Sequence, residues 1–228
     1  MRILFVRHGH PNYELDCLTE LGKKQAEAAA LRLKDEGIEE IYASTCGRAF
    51  ETAGVTARAL GLSVQECPFM REIDWGSTDG SQLVGDGHPW FAAWAMAAQG
   101  EDLRHADWEN HGEFPKNRVV ASVHRVTDGI DGWLQSLGYT REGLYYRVGE
   151  KRADTVAMFS HGGASSAALS HMMNVPFPQF CGSFEIDFTS VTVVEMPDKP
   201  GELVMPFIRL VNDARHIRGL ETENIYGK

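Results

Sequence analysis

Cysteine is scarce in this chain. Four occur among 228 residues, and Cys17, Cys46, Cys67 and Cys181 stand far apart with no C-x-x-C pair. That usage is expected of incidental reduced thiols in a cytosolic protein. Long apolar runs are missing too: the strongly apolar stretch at residues 89–98 is about half of what a membrane span requires. The first residues enter a strand-like run at once, without the architecture of a signal peptide, so a soluble cytoplasmic protein is expected. Positive charge is in deficit, with 22 Lys and Arg against 32 Asp and Glu and a formal net charge of −10. This argues against non-specific binding to nucleic acid or anionic membrane, which needs clustered basic surface. A small anionic substrate is still compatible, because charges are screened beyond roughly 8 Å at physiological salt and a few pocket arginines outweigh a distant acidic surface. Internal repeats and low-complexity stretches are absent as well.

What is present is enough apolar residue, 43%, for one large domain or one domain with an inserted subdomain. Residues 2–6 form a β-type run ending at Arg7-His8-Gly9. A helix is expected after Thr19, a good N-cap residue, with Gly22, Ala26, Ala29 and Leu33 on one face and Gly37 at its C-terminal cap. Strands are expected at 41–43 and 63–66, with a helix at 48–60 closed by Gly61. From residue 80 to 152 the texture changes. Pro89 starts a helix to residue 99, an acidic loop covers 100–115, and a long amphipathic helix runs over 117–137 until Gly138. Its apolar side carries Val119, Val123, Ile130, Trp133, Leu134 and Leu137. A strand at 154–159 leads into a helix from Gly162 to Met173, and β structure is expected at 183–188, 191–196 and 203–210. Strands alternating with helices predict an α/β fold with a mainly parallel sheet. In such sheets the ligand crevice lies past the strand C-termini. Arg7-His8-Gly9, the turn at 44–48 and Ser160-His161-Gly162 all fall there.

These residue types suit phosphoryl transfer, whose loose transition state asks for positioning and positive charge. Arg7 and Arg48 offer planar forks for phosphate oxygens, and His161 a further donor. The helix after Gly162 presents an N-terminus that suits an anion. A nucleophilic His8 must be neutral, and two neighbouring arginines lower its pKa. A bond from its other ring nitrogen, to a backbone carbonyl, would fix the tautomer. A carboxyl must protonate the leaving oxygen and later activate water; Glu72 is the leading candidate and Asp74 the fallback.

Several segments occur in a telling order: Arg7-His8-Gly9; Leu18-Thr19-Glu20-Leu21-Gly22 with Gln25-Ala26; Ser44 with Arg48-Ala49 and Thr52-Ala53; Arg71-Glu72-Ile73 with Gly76; and Ser160-His161-Gly162-Gly163. Together they resemble the histidine phosphatase superfamily, in its phosphoglycerate mutase-like branch, and Leu210-Val211-Asn212-Asp213 with His216 resembles its last segment. Only the middle, from about residue 81 to 152, matches weakly. The resemblance implies a three-layer α/β/α sandwich as a single domain over 1–228, with 81–152 as a mostly helical insertion capping the site. It implies phosphorylation of His8, proton donation by Glu72, and a phosphate pocket of Arg7, Arg48 and His161, with no metal and no cofactor. The loop after His8 departs from the mutase pattern: His10-Pro11-Asn12-Tyr13 runs quickly to Leu18. The mutase-type Glu-Arg-His-Tyr-Gly segment is replaced by Glu72-Ile73-Asp74-Trp75-Gly76. Both differences favour a phosphomonoesterase acting on a small phosphorylated metabolite over a mutase-type phosphotransferase or a non-catalytic phospho-ligand binder.

His10, Asn12, Tyr13 and the Gly162 backbone are carried as substrate-facing candidates. His8 and His10 lack a third ligand at a familiar metal spacing. His88, His105, His111 and His124 read as surface or loop residues. Trp90, Phe91 and Trp94 suit core packing, a homodimer contact or an apolar wall over the site. Other phosphatase chemistries fail in the text. The residues six past each cysteine are Lys23, Thr52, Ile73 and Asp187, not arginine, and neither D-x-D-x-[TV] nor a P-loop occurs.

Overall fold

The computed structural model describes residues 1–150 and 153–220. The last two residues of the 81–152 segment and the last eight of the 1–228 domain lie outside the described residues. The chain opens with β1 (Arg2–Arg7), a two-residue pair β2 (Pro11–Asn12) and β3 (Cys17–Leu18), and helix α1 (Glu20–Leu33). Then come β4 (Glu40–Ala43), α2 (Gly47–Leu60), β5 (Val64–Glu66), α3 (Pro89–Ala98) and α4 (Val119–Ser136). After these follow β6 (Tyr139–Glu142), β7 (Tyr145–Val148), β8 (Thr155–Ser160), α5 (Gly162–Met172) and α6 (Phe177–Ser183). The last elements are β9 (Val191–Glu195), β10 (Leu203–Val204) and β11 (Phe207–Asp213).

Side chains alternate across a strand, and here both faces are apolar. Ile3 and Phe5 of β1, Val156 and Met158 of β8 and Tyr42 of β4 enter one core with α4 and α5. Leu4 and Val6, Ala157 and Phe159, and Ile41 and Ala43 enter the other with Leu33, Ala53 and Ala57 of α1 and α2. That double burial explains the near-continuous apolar strands and makes a three-layer α/β/α sandwich. The sheet order is β11-β9-β1-β8-β4-β5. β1, β8, β4 and β5 pair in parallel; β9 runs antiparallel to β1, and β11 antiparallel to β9. The β11 ladder is interrupted by register shifts between Ile208 and Leu210 and between Leu210 and Asp213. Among the described residues no helix is long and apolar enough to cross a membrane.

Several elements differ from the sequence-based expectation. The β structure expected at 183–188 is the end of α6 followed by irregular chain, because Pro176 and Pro178 start a helical turn. The run at 203–210 splits at Pro206, which has no N–H for a ladder: β10 joins β7 while β11 joins the main sheet. The helical texture of the middle segment ends in a hairpin, β6 and β7, turning at Gly143 with φ +62°. Helix α4 of that same segment shares one outer layer of the sandwich with α5, and Val119, Val123, Val126, Ile130 and Leu134 lie in the core against the sheet. Thr19 caps α1 by accepting from Gly22 N, but the helix stops at Leu33, short of Gly37.

Candidate active site

Parallel register builds the centre of the site. Arg7 lies opposite Ser160 in the β1–β8 pairing, so His8 and His161, one residue further on each strand, emerge side by side. Their ring centroids are 5.1 Å apart, and His8 N donates to Ser160 O at 2.9 Å. β4 ends one strand away, where Ser44 Oγ lies 2.8 Å from His161 Nε2. His8 Nδ1 lies 2.7 Å from Gly9 O. A carbonyl can only accept, so Nδ1 carries the proton and Nε2 the lone pair.

Two arginines flank this lone pair. Arg48, in the first turn of α2, brings Nε to 3.3 Å from His8 Nε2. Asp16 sets its position: Oδ2 accepts from Gly47 N at 2.7 Å and Oδ1 pairs with Arg48 Nη1 at 2.5 Å. Asp16 does so at φ +47°, which few residue types other than glycine adopt as readily as Asp or Asn. Tyr13 places its ring 5.3 Å from the Arg48 guanidinium. Arg7 donates to Ile186 O at 2.6 Å and lies 4.1 Å over the Phe188 ring, which is itself 5.6 Å from the His8 ring. The irregular chain after α6 thus delivers both a carbonyl and an aromatic face to Arg7. Gly162 opens α5 beside it; a Cβ there would stand 3.7 Å from the guanidinium carbon.

The turn after β1 is locked to α1 by backbone contact. A Cβ on Gly9 would stand 2.5 Å from Gly22 O, and one on Gly22 would stand 2.1 Å from His10 O. Gly9 N donates to Thr52 Oγ1 at 3.1 Å and His10 N to Gln25 Oε1 at 2.7 Å.

Glu72 meets the start of α5. Its Oε1 accepts from Ile73 N at 3.0 Å and Ala164 N at 2.9 Å, and Oε2 from Gly163 N at 3.4 Å. Burial pushes this carboxyl above its ordinary value; the peptide N–H groups, Arg7 and Arg48 oppose that only in part. The irregular chain leading to it is held by Arg125 of α4, which donates to Phe69 O, Arg71 O and Glu72 O at 3.4, 2.8 and 3.0 Å. Asp74 is exposed, and its N–H is taken by Ser122 Oγ at 2.9 Å. Burial holds His8 well below the ordinary histidine range, helped by Arg7 and Arg48. Burial does the same to His161, with further push from His8, Arg48, Arg7 and Arg71. The result is two neutral imidazoles between two permanent cations, with a carboxyl that tends to hold its proton. Such a pocket can receive a tetrahedral oxyanion and deliver a proton to a group leaving it.

The other sequence candidates sit at the rim. His10 is half-buried, with Nδ1 3.0 Å from Thr19 Oγ1 and its ring 5.5 Å from that of Phe188. Asn12 Oδ1 accepts from Leu15 N at 3.1 Å, closing the short turn, and Tyr13 is exposed. Trp94, on α3, donates to Gly182 O of α6 at 2.9 Å, and Trp90 packs on the core. Asp16, Ile186 and Phe188 carry no motif and reach the site through the fold; the one sequence signal for Asp16 is a carboxylate in the turn between β2 and β3. Among the described residues, the side chains spaced to hold a metal ion are His105, Asp107 and His111, which share nothing with this pocket.

Fold and site together define an α/β protein with two buried arginines and two buried histidines gathered at the ends of parallel strands. Residues 3–208 match the model of the histidine phosphatase superfamily, branch 1, and the chain belongs to that family. It is 33% identical over 189 residues to a Yersinia enterocolitica protein named Probable phosphoglycerate mutase GpmB, covering 77% of this chain and 76% of that one. The Erwinia tasmaniensis protein of the same name is 27% identical over 146 residues, 59% of this chain, and the match spans 63% of its length. Among solved structures, a mycobacterial glucosyl-3-phosphoglycerate phosphatase superposes with a TM-score of 0.63 at 23% identity, over 92% of this chain and 98% of that one. An Entamoeba histolytica phosphoserine phosphatase in complex with 3-phosphoglyceric acid gives 0.61 at 19%, over 95% and 98%. These two likenesses speak for the fold.

Proposed function

We propose that the protein is a cytoplasmic, metal-independent phosphomonoesterase that hydrolyses a small phosphorylated metabolite through a phosphohistidine on His8. The observation that carries this reading is the His8 ring contact: Nδ1 is bound to Gly9 O, so Nε2 carries the lone pair, which accepts from Arg48 Nε at 3.3 Å and is turned to phosphorus when a phosphate group takes over that donor. Arg7, Arg48 and His161 hold the phosphate oxygens, with the Gly162 N-terminus of α5 behind them. Nε2 attacks phosphorus, the P–O ester bond breaks, and the leaving oxygen takes the proton of Glu72. Glu72, now a carboxylate, removes a proton from water as that water attacks phosphorus. The P–N bond breaks, releasing inorganic phosphate and restoring both groups.

His10, Asn12 and Tyr13 face the substrate from the rim. The part of the segment ahead of α4 serves as a cover, and a bridge supports this: Asn117 accepts from Gly76 N at 3.2 Å and donates to Gly87 O at 2.7 Å. That ties the segment to the chain bearing Glu72. The test is hydrolysis of an aryl phosphate in EDTA, inhibition by vanadate, and trapping of acid-labile phosphate on His8. Loss of activity in EDTA that added metal restores would overturn metal independence. The names of the relatives support a second reading, phosphoglycerate mutase-type transfer; interconversion of phosphoglycerates faster than their hydrolysis would favour it. Binding without turnover of any phosphate ester would leave a phospho-ligand-binding role.

A further inference from the structure

We propose that the loop after α3 binds one divalent transition-metal ion of the zinc class through His105, Asp107 and His111. Their potential ligand atoms all lie within 4.8 Å of one another. The two imidazoles stack nearly parallel, with centroids 3.8 Å apart and 11° between planes, and Asp107 Oδ1 lies 3.2 Å from His111 Nε2. Zinc–nitrogen bonds of about 2.0–2.1 Å put tetrahedral donors roughly 3.3 Å apart. The group therefore needs only side-chain rotation by about an ångström or so to close on an ion. Two imidazole nitrogens and one carboxylate suit zinc, nickel or cobalt; magnesium and calcium prefer all-oxygen sites. Water would complete the shell.

The backbone that carries these ligands is already set. Asn110 N donates to Asp107 O at 2.9 Å, His111 N to Trp108 O at 3.0 Å, and Phe114 N to His111 O at 3.2 Å. Trp108, between the ligands, anchors the turn with its ring 5.0 Å from Phe114 and 5.4 Å from Phe177. Neighbouring carboxylates are engaged elsewhere: Asp102 with Arg104 at 2.8 Å and Glu109 with His124 at 2.7 Å. Asp107 is the carboxylate left to join the histidines. An ion here clamps the two flanks of the Trp108 turn; its role is structural, and it does not depend on the phosphatase reading.

The full chain, stripped with EDTA, should take up one equivalent of Zn2+ by calorimetry with a Kd on the order of micromolar, and no Mg2+. Its Tm should rise by about 5 °C at a hundredfold excess over Kd. His105→Ala and His111→Ala should each weaken binding about tenfold or more, and the double variant should lose the Tm shift. On the wild-type chain, Co2+ should broaden the ring signals of His105 and His111 before those of other histidines, a measurement that needs no variant. No Zn2+ binding below about 1 mM, full binding in the double variant, or broadening centred on other histidines would each overturn the site.

Discussion

A single proton decides what His8 can do. It sits on Nδ1 because the neighbour at 2.7 Å is the Gly9 carbonyl, and burial between arginines keeps a second proton from adding at Nε2. His8→Ala should therefore lower kcat by about 10³-fold or more while leaving the fold intact, as single-turnover and steady-state kinetics would show. Glu72→Gln separates proton donation from attack. With an alkyl phosphate, whose leaving oxygen needs a proton, kcat should fall about 10²- to 10⁴-fold; with a nitrophenyl phosphate the loss should be much smaller. The Glu72 carboxyl is raised by burial, so the wild-type pH–rate profile should descend on its alkaline side at an apparent pKa above the ordinary glutamate value of about 4.3. Glu72→Gln should abolish that limb, and an unchanged limb would reassign the acid.

At the scale of elements, the site depends on contacts that leave no room. Alanine at Gly22 gains up to ~1 kcal/mol of helix propensity, yet its Cβ would lie 2.1 Å from the His10 carbonyl. Backbone on both sides cannot yield that far, so Gly22→Ala should destabilise by about 3 kcal/mol, measured by urea denaturation. Helix α4 contributes through Arg125, whose one guanidinium holds three carbonyls of the chain leading to Glu72. Arg125→Ala should lower kcat about ten- to a hundredfold with little change in KM, and lysine should restore only part, since it lacks the planar fork. A fall in stability with unchanged kcat would make Arg125 merely structural. The sequence made β1, α1, α2, α4 and β8 legible because their apolar spacing and caps are local signals. It did not reveal α6, where proline placement overrode β-like composition, nor the hairpin at Gly143. His8, Arg48 and His161 were readable from motifs, whereas Asp16 and Phe188 reach the site through tertiary packing that no spacing records.

Over the whole molecule, burial of histidines couples stability to pH. His8, His161 and His216 are held below the ordinary value, and His88 is brought down to about 4, in each case chiefly by burial. Unfolded, these groups take up protons near pH 6.5; folded, they do so only at lower pH. The unfolded chain thus binds more protons in that window, so stability is full above about pH 6.5 and is lost as pH falls toward 4. Tm should drop over this range, and His88→Asn should make the drop shallower; a flat Tm from pH 7 to 4.5 would contradict it.

The outer strand β11 has a consequence for how copies of the chain can meet. Its ladder on β9 is broken twice, Asn212 turns with φ +49°, and Arg209 is pinned to Glu195 at 2.7 Å. A bulged, charged border offers no straight row of amides for another chain to dock on. Templated growth into fibrils from this side is thereby discouraged, even though Phe207 and Val211 are exposed there. Self-association through backbone pairing on this edge is likewise disfavoured, so amide exchange along Phe207–Asp213 should be the same at low and high protein concentration.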